Sequence, residues 1–338
     1  MRKLMKWSAL LGGSFLAVML GITVYLGINR GVVIADTGSV TDLTEVSEFE
    51  SLPGHMLSLQ ESEQEGTAIR IPVENAIGPE NITIENQYLS RRLVINIRGT
   101  TGFFYENSRI TGYVEPLQNA SYTVESEGVT LYLQLSELYE YESILNKGYL
   151  QVNLYKPSER YARVVVLDAE TSEDLSGREK EALYRIEEKC QAILEAEGIH
   201  VYSAESRYDD GGKESTLRLV SQTKAGLYVG IAFDKAEDQE QFGSYVCYSS
   251  QYFRPWFTNG DFADRMEREL VTAIEGKALG LVEVQDELLQ ELSIPAVIVC
   301  PGYLSHGTEG KLLLQESYQE RIAQGICAGI LSAYAELE

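Results

Sequence analysis

The chain carries few side chains of the kinds that catalyse reactions near neutral pH. Only three histidines occur among its 338 residues, His55, His200 and His306, so any site that needs two or three imidazoles must draw on these. Cys300 and His306 lie six residues apart and could form a thiol nucleophile with its base. No third, orienting residue is identifiable, and a cysteine at the end of a buried strand is usually inert, so the sequence favours a packing role for Cys300.

Acidic residues near two predicted strand ends offer a different chemistry. Carboxylate oxygens suit Ca²⁺ or Mg²⁺, and the acids in question are Asp168, Glu170, Glu173, Asp174, Glu179 and Asp234. Their spacing matches no regular cation-binding loop, so the sequence favours structural roles. Asp168 would organise the loop after its strand, and Glu179 would suit the first turn of a helix, where the dipole favours an acid. Glu309 and Glu316 are predicted to be solvated acids beside helices.

The segment Arg254-Pro255-Trp256-Phe257 is a candidate for binding rather than for acid–base catalysis. A guanidinium beside aromatic rings can hydrogen-bond to a sugar and stack on it. The segment follows a predicted strand over residues 245–248. The alternative is that it covers the adjacent hydrophobic core.

Two kinds of hydrophobic pattern divide the chain into two folded domains. Between about Ile69 and Pro157, apolar and polar residues alternate in the runs 82–85, 93–98, 122–125, 129–133 and 149–154. Glu127-Gly128, between two of these runs, indicates a short hairpin. The pattern predicts a small antiparallel β-sandwich over residues 67–158. Its tyrosines could stack on carbohydrate, but tyrosine also suits a half-exposed strand face, and we favour the second interpretation.

From Arg163 onward, continuous apolar runs alternate with helical patterns. Buried strands are indicated over 164–167, 227–233, 245–248 and 296–300, and helices over 176–197, 262–274 and 318–334. This alternation predicts an α/β domain over residues 163–338, with a mostly parallel sheet flanked by helices. Chemistry in such domains lies beyond the carboxyl ends of strands, which directs attention to 168–174, 232–234 and 300–306.

The N-terminal segment predicts targeting to a membrane. Residues 7–28 are uncharged and mostly apolar, and at ~1.5 Å per residue they are long enough to cross a bilayer core. Basic residues in segment 1–6 predict a cytoplasmic tail, and 7–28 a transmembrane helix or uncleaved signal anchor, with a cleaved signal peptide as the alternative. Residues 29–66 predict an acidic, flexible stalk. We therefore expect a single-pass protein of the cell membrane whose C-terminal domains lie outside the cytoplasm.

Charge and cysteine usage exclude several classes of partner and site. The chain has 28 Lys and Arg against 51 Asp and Glu, a formal net charge of −23. Such a surface repels nucleic acid, so no nucleic-acid partner is expected. Cys190, Cys247, Cys300 and Cys327 form no CxxC pair, so a zinc knuckle is unsupported, and their disulfide status stays open.

The strand ends of the C-terminal domain resemble a known family. Four parts of the chain follow one another in the order found in that family. They are Val165-Val166-Leu167-Asp168-Ala169, residues 227–234, residues 294–305, and residues 312–313 with 318–326. They are similar to segments of the zinc-dependent N-acetylmuramoyl-L-alanine amidases of the amidase-3 group. The resemblance covers about residues 163–338 and implies an amidase-3-like fold. The preceding β domain is similar in position and pattern to AMIN-type domains.

The resemblance implies a Zn²⁺ held by His, Glu and His, with a further Glu as general base, cleaving the amide between peptide stem and muramic acid. In this chain those four positions hold, in the same order, Thr171, Glu179, Ala232 and Cys300. Only Glu179 matches, because alanine cannot bind a metal and a neutral threonine hydroxyl is a poor zinc ligand. His306 stands where the family has Asn. The resemblance therefore implies a dismantled zinc site and no cofactor.

These observations predict a cell-envelope protein with a catalytically inactive amidase-like domain, which binds peptidoglycan or a wall-remodelling protein. The remaining substrate-facing or supporting candidates are Asp168, Asp234, His306, Arg254 and Trp256. One alternative is an active amidase with a rearranged zinc site. Another is a structural interaction protein that docks through its β domain.

Overall fold

The computed structural model describes residues 52–62, 68–204 and 212–337. The chain divides into two compact units, with the boundary between Tyr155 and Lys156. The predicted tail 1–6, the predicted membrane segment 7–28 and most of the predicted stalk lie outside the described residues. Each unit has its own cluster of buried hydrophobic side chains.

The first unit is built from short strands. Their bounds are β1 (His55–Met56), β2 (Ser58–Glu61), β3 (Ala68–Pro72), β4 (Ile82–Gln87), β5 (Arg92–Arg98), β6 (Arg109–Gly112), β7 (Leu117–Val124), β8 (Gly128–Leu135), β9 (Glu140–Asn146) and β10 (Tyr149–Tyr155), with a helix α1 (Gly102–Glu106). The strands form two five-stranded sheets, ordered β1-β7-β8-β5-β4 and β2-β6-β3-β10-β9.

Alternation along the strands buries one face of each sheet. Ile95 of β5 and Val152 of β10 come from different sheets and belong to the same buried cluster. The hairpin predicted at Glu127-Gly128 is confirmed, because Val124 of β7 pairs with Val129 of β8. The pairing is not wholly antiparallel, since β2 and β6 run parallel.

Part of the predicted stalk is folded. Residues 52–62 contribute β1 and β2, which pair with β7 and β6. The predicted stalk as a whole is acidic, but the only acid in residues 52–62 is Glu61. Leu52 and Leu57 are buried, and Leu57 joins the core of the unit. Two buried leucines and the ladder hydrogen bonds therefore order a segment that the charge pattern predicted to be flexible.

The second unit alternates strands and helices. Its strands are β11 (Val164–Ala169), β12 (His200–Ser203), β13 (Leu227–Ile231), β14 (Ser244–Tyr248), β15 (Phe253–Arg254), β16 (Phe257–Thr258), β17 (Ala278–Glu283) and β18 (Ala296–Cys300). Its helices are α2 (Pro157–Arg160), α3 (Gly177–Ala196), α4 (Lys213–Thr223), α5 (Asn259–Ile274), α6 (Glu287–Glu291), α7 (Glu309–Leu313) and α8 (Glu316–Leu337).

A six-stranded sheet with the order β12-β11-β13-β18-β14-β17 forms the centre of this unit. The first four strands of that order are parallel, as predicted. Every residue of β11 and β13 is buried, which requires cover on both faces of the sheet. β14, however, is antiparallel to β18, and β17 is parallel to β14. The sheet is therefore mixed. β14 and β17 run opposite to the other four strands, so their carboxyl ends lie at the edge where the other strands have their amino ends.

Helix α8 packs against both α3 and α5 beside the sheet. In α8, Gly325 allows close approach, because a Cβ there would lie 2.7 Å from the Cα of Leu270 in α5. Helix α5 begins with a capping box in which Thr258 and Asp261 exchange hydrogen bonds between side chain and backbone. Helix α3 is followed by Gly198 at φ +74°, the position predicted for a terminating glycine.

The prediction of a single-pass membrane location is not supported. In the parts of the chain that the structure describes, no helix is both long enough and apolar enough to cross a bilayer. Of the longest described helices, α3 has charged residues over much of its surface, and α8 has several at its ends. Their apolar residues are buried in the core of the second unit.

Candidate functional site

Three parallel strands of the second unit end at the same edge of the sheet. β11, β13 and β18 finish at Ala169, Ile231 and Cys300. A cavity of about 350 Å³ opens at this edge, lined among others by Asp168, Glu170, Thr171, Lys213, Thr216 and Ala232. The structure therefore brings together the ends of the first two strands that the sequence singled out.

Asp168 is bound by a tyrosine of the neighbouring strand. The Tyr228 hydroxyl on β13 donates to Asp168 Oδ2 at 2.7 Å, and both residues are buried. Burial and the neighbouring carboxylate raise the pKa of Tyr228 well above its ordinary value. Glu170 lies against Gly230 so closely that a Cβ on Gly230 would collide with the Glu170 carboxylate. The predicted organising role of Asp168 therefore depends on β13.

Glu179 lies in the first turn of α3, where it belongs to a capping box. Its Oε2 accepts a hydrogen bond from the backbone N–H of Ser176 at 2.7 Å. The side chain is 20% exposed, and the ammonium of Lys235 lies 3.7 Å from Oε2. Glu179 Oε2 therefore contacts both the backbone N–H of Ser176 and the ammonium of Lys235.

Lys235 joins this helix start to the loop after β11. Its Nζ donates to the backbone carbonyl of Asp174 at 2.8 Å and lies 3.2 Å from Asp174 Oδ2. Hydrogen bonds from Ser172 and Lys235 lower the pKa of the Asp174 carboxyl. Sequence reasoning missed Lys235, although it is a basic residue only four positions after the end of β13 at Ile231.

Asp234 and Cys300 belong to a second group at the same edge. The Tyr245 hydroxyl donates to Asp234 Oδ2 at 2.6 Å, and the backbone of Asp234 forms a bridge with Tyr303. Cys300 lies opposite Tyr245 in the ladder and is buried. A hydrogen bond with the Cys247 thiol, together with burial, raises the pKa of Cys300 well above its ordinary value. The thiol is therefore protonated at neutral pH, which opposes a role as a nucleophile.

His306 is engaged with residues other than Cys300. Its Nδ1 accepts a hydrogen bond from the backbone N–H of Glu309 at 3.2 Å, and its ring stacks on Phe242 with centroids 5.2 Å apart. Glu309 was predicted to be solvated, and this is wrong. Its carboxylate is buried and accepts from the N–H groups of Gly243 and Tyr303, so it links two loops.

Arg254 and Trp256 lie at the opposite edge of the sheet. Because β14 is antiparallel to β18, Tyr248 pairs with Val297, and the chain leaves β14 at the amino end of the parallel strands. The Asn259 side chain confirms this placement, since it accepts from the Ala296 N–H and donates to the Ser249 carbonyl. The structure does not bring Arg254 or Trp256 to the cavity.

The residues at the implied metal positions do not fit zinc. Ala232 offers no donor atom, Thr171 offers only a neutral hydroxyl, and Glu179 already meets the Ser176 amide and the Lys235 ammonium. Among the described residues, no group of three or more His, Cys, Asp or Glu side chains is placed to hold a metal ion. Cys190, Cys247, Cys300 and Cys327 are all free thiols.

Comparison with known proteins finds that this unit is similar to N-acetylmuramoyl-L-alanine amidases. Residues 169–332 match the family described as N-acetylmuramoyl-L-alanine amidase. The germination-specific N-acetylmuramoyl-L-alanine amidase of Bacillus subtilis (strain 168) is 25% identical over 160 residues. That alignment covers 47% of this chain and 65% of the relative, which is less than two thirds of its length. The family match begins at residue 169, so the AMIN-like assignment of residues 67–158 stays a prediction.

Solved structures of amidases are also similar to this chain. The catalytic domain of CwlV from Bacillus (Paenibacillus) polymyxa var. colistinus is 24% identical, with a TM-score of 0.46, over 52% of this chain and 99% of that domain. The CwlD amidase of Clostridioides difficile, solved in complex with the GerS lipoprotein, is 21% identical with a TM-score of 0.45, over 52% of this chain and all of that one (100%).

Proposed function

Because residues 169–332 of this chain belong to the N-acetylmuramoyl-L-alanine amidase family, we propose that the protein binds peptidoglycan through its amidase-like unit without hydrolysing it. The observation that carries the proposal is the contact of Lys235 with Glu179 and Asp174. The Lys235 ammonium lies beside Glu179, which is the only one of the three implied metal positions where this chain has the same residue as the family. The chain therefore already provides a positive charge beside this carboxylate.

Loss of hydrolysis follows from the chemistry of the remaining side chains. Hydrolysis in this family needs a metal-bound water whose pKa is lowered, and a base to accept its proton. Ala232 and Thr171 replace two of the ligands, and the protonated, buried thiol of Cys300 stands at the position of the base. A lysine ammonium cannot lower the pKa of a water as a doubly charged metal ion does.

Retained binding is supported by the cavity at the strand ends. Its lining combines the carboxylates of Asp168 and Glu170 with the hydroxyls of Thr171 and Thr216 and with Lys213. Such a mixture of hydrogen-bond donors and acceptors suits the hydroxyl and amide groups of a glycan with its peptide stem. The cavity is also large enough to hold one sugar or a short stretch of peptide.

Sedimentation with purified sacculi tests the binding half of the proposal. We expect the full chain to pellet with sacculi, and Ala232→Trp to reduce the pelleted fraction at least several-fold because the indole fills the cavity. Gln251→Trp is the matched control, since it adds the same group on an exposed residue at the opposite edge. Equal pelleting of the two variants and the unmodified chain would remove the cavity from the proposal.

Muropeptide release tests the catalytic half. The full chain, incubated with sacculi and added Zn²⁺, is expected to release no more muropeptide than buffer alone. The alternative, an active amidase with a rearranged metal site, predicts release that EDTA abolishes. Glu179→Gln serves as the matched variant, because it would lower such release while leaving the capping hydrogen bond in place.

A further inference from the structure

The four cysteines of the chain are widely spaced in the sequence, but the fold brings them together in two pairs. Cys190 of α3 lies against Cys327 of α8, whose thiol donates to the Cys190 carbonyl at 3.6 Å. The Cys190 thiol donates to the Ala323 carbonyl at 3.8 Å. Cys247 of β14 lies beside Cys300 of β18, and these two thiols are hydrogen-bonded to each other. The structure therefore contains two pairs of thiols that could be oxidised to disulfides.

The two pairs differ in their access from solvent. Cys190 and Cys327 are 0% and 1% exposed and lie in the core of the second unit. Cys247 is half-buried, and its partner Cys300 is buried. A dissolved reagent can therefore reach the Cys247 thiol in the folded chain, whereas both thiols of the other pair are closed to it.

The ladder between β14 and β18 places Cys247 and Cys300 on the same face of the sheet. Cys247 pairs directly with Ile298, and Cys300 lies two residues further along the same strand. Side chains two residues apart on a strand share a face, so the two cysteines are diagonal neighbours. The opposite face at this point belongs to Val246 and Val299, which are buried in the core of the unit. The two thiols therefore meet on the face that points away from these valines.

The hydrogen bond between the two thiols makes them chemically unequal. Cys300 donates its S–H to the Cys247 sulfur, which lowers the pKa of Cys247 and raises that of Cys300. The partly exposed thiol is thus the one that ionises first, and the thiolate is the attacking form in thiol–disulfide exchange. Cys247 therefore has the access and the ionisation for a first attack, and Cys300 lies beside it as the second thiol.

We propose that Cys247 and Cys300 form a reversible disulfide by exchange with a small-molecule disulfide, such as glutathione disulfide. The Cys247 thiolate attacks one sulfur of the reagent, which gives a mixed disulfide and releases one glutathione thiolate. The mixed disulfide carries no charge to hold the Cys300 proton, so this thiol ionises and attacks the Cys247 sulfur, which releases the second glutathione. Two protein thiols are oxidised, and one reagent disulfide is reduced to two thiols.

The proposed disulfide is expected to be easily reduced. Diagonal neighbours in an antiparallel pair lie about 7–8 Å apart, whereas the Cα atoms of most disulfides are about 4.4–6.8 Å apart. The strands must therefore shift slightly to close the bridge, and β14 already has a register shift against β17 at Ser244 and Tyr245. Strained disulfides are the labile ones, so a reversible bridge is expected. The inference does not depend on peptidoglycan binding.

Oxidation of the full, folded chain with glutathione disulfide tests the proposal. Free thiols are then alkylated in denaturant, and tryptic peptides are identified by mass spectrometry. Each cysteine falls in a different tryptic peptide, and those of Cys247 and Cys300 are 236–265 and 278–311. We expect these two peptides to be joined, and Cys190 and Cys327 to be recovered alkylated. Excess reduced glutathione is expected to separate the joined peptides. Absence of the joined peptide, or equal joining of Cys190 to Cys327, overturns the proposal.

Serine variants test the order of the two attacks. Cys300→Ser removes the second thiol, so glutathione is expected to remain on Cys247 as a mixed disulfide. Cys247→Ser removes the accessible thiol, and glutathione incorporation is expected to be at least several-fold lower than in Cys300→Ser. Cys327→Ala, from the buried pair, is the matched control and keeps the joined peptide. Circular dichroism establishes that each variant is folded. Equal incorporation in the two serine variants would overturn the assigned order.

Discussion

The Lys235 ammonium is the positive charge next to the acids at this edge of the sheet, and its position depends on two residues that are distant in the sequence, Asp174 and Glu179. The ammonium reaches the carbonyl and carboxylate of Asp174 and approaches the Glu179 carboxylate. The sequence predicted the acids at this edge and the helix-start position of Glu179. It did not predict their cation, because the pairing depends on how the segment after β13 crosses towards the start of α3.

Replacing Glu179 separates a capping role from a metal-binding role. Glu179→Ala is expected to lower the free energy of unfolding by about 1 kcal/mol, because the Ser176 N–H loses its side-chain acceptor. Glu179→Gln is expected to stay within a few tenths of a kcal/mol of the unmodified chain, since glutamine serves equally in a capping box. Urea titration measures both variants. An equal loss for the two would show that the negative charge, and not the cap, carries the effect.

At the scale of elements, the reversal of β14 decides which loops can reach the cavity. The apolar run over 245–248 predicted a strand correctly, but a run of buried residues carries no information about strand direction. β17 was not predicted at all, because its exposed and half-buried residues follow neither a continuous apolar run nor a clean alternation. The sequence pattern therefore placed Arg254 and Trp256 after a strand but could not predict at which edge of the sheet that strand ends.

The reversed strand predicts that Arg254 and Trp256 make no contribution to sacculus binding. The double variant Arg254→Ala, Trp256→Ala removes an exposed guanidinium and an indole that is 63% exposed, both at the opposite edge of the sheet. The pelleted fraction is expected to stay within twofold of the unmodified chain. If the double variant lost as much sacculus binding as Ala232→Trp, the ligand would bind at the Arg254 edge of the sheet, and the proposed cavity would be wrong.

Helix packing makes a separate prediction for two glycines. Gly325→Ala is expected to destabilise the fold by about 1–3 kcal/mol, because the added Cβ meets the backbone of α5 and outweighs the gain in helix propensity. Gly177→Ala at the start of α3 meets nothing within 4 Å and is expected to be neutral or stabilising by up to about 1 kcal/mol. Thermal unfolding measures both. A neutral Gly325→Ala would mean that α5 and α8 are further apart than described.

At the scale of the whole molecule, tyrosines of the first unit whose pKa values are raised predict sensitivity to alkali. Burial raises the pKa of Tyr141 to about 12, and burial first and Glu74 second raise that of Tyr105 further. A group whose folded pKa is raised stabilises the fold fully below its unfolded pKa, about 10 for tyrosine, and loses that contribution as pH rises. Stability should therefore fall above about pH 10.

Tyr105→Phe tests this pH dependence. Urea unfolding across about pH 10 to 11.5 is expected to show a slope that is shallower by up to about 1.4 kcal/mol per pH unit in the variant. Near pH 7 the variant is expected to lose about 1 kcal/mol, because the hydroxyl donates to the Pro72 carbonyl at 3.0 Å. An unchanged slope would contradict the assignment of the effect to Tyr105.

The sequence predicted the α/β architecture of the second unit because its buried strands and amphipathic helices have distinct periods. The positions of Asp168, Thr171 and Ala232 at one edge follow from the parallel order of β11 and β13, and this much was predictable. The order of strands in the first unit, the folding of residues 52–62 and the burial of Glu309 depend on long-range contacts. Local patterns therefore could not reveal them.

The most direct test of the central claim is the metal content of the full chain purified without chelators. Because we propose that Lys235 provides the cation beside Glu179, we predict far less than one zinc per chain, and we expect EDTA to leave the unfolding transition unchanged. The proposal would be contradicted by one zinc per chain together with muropeptide release, both of them lost when EDTA is added.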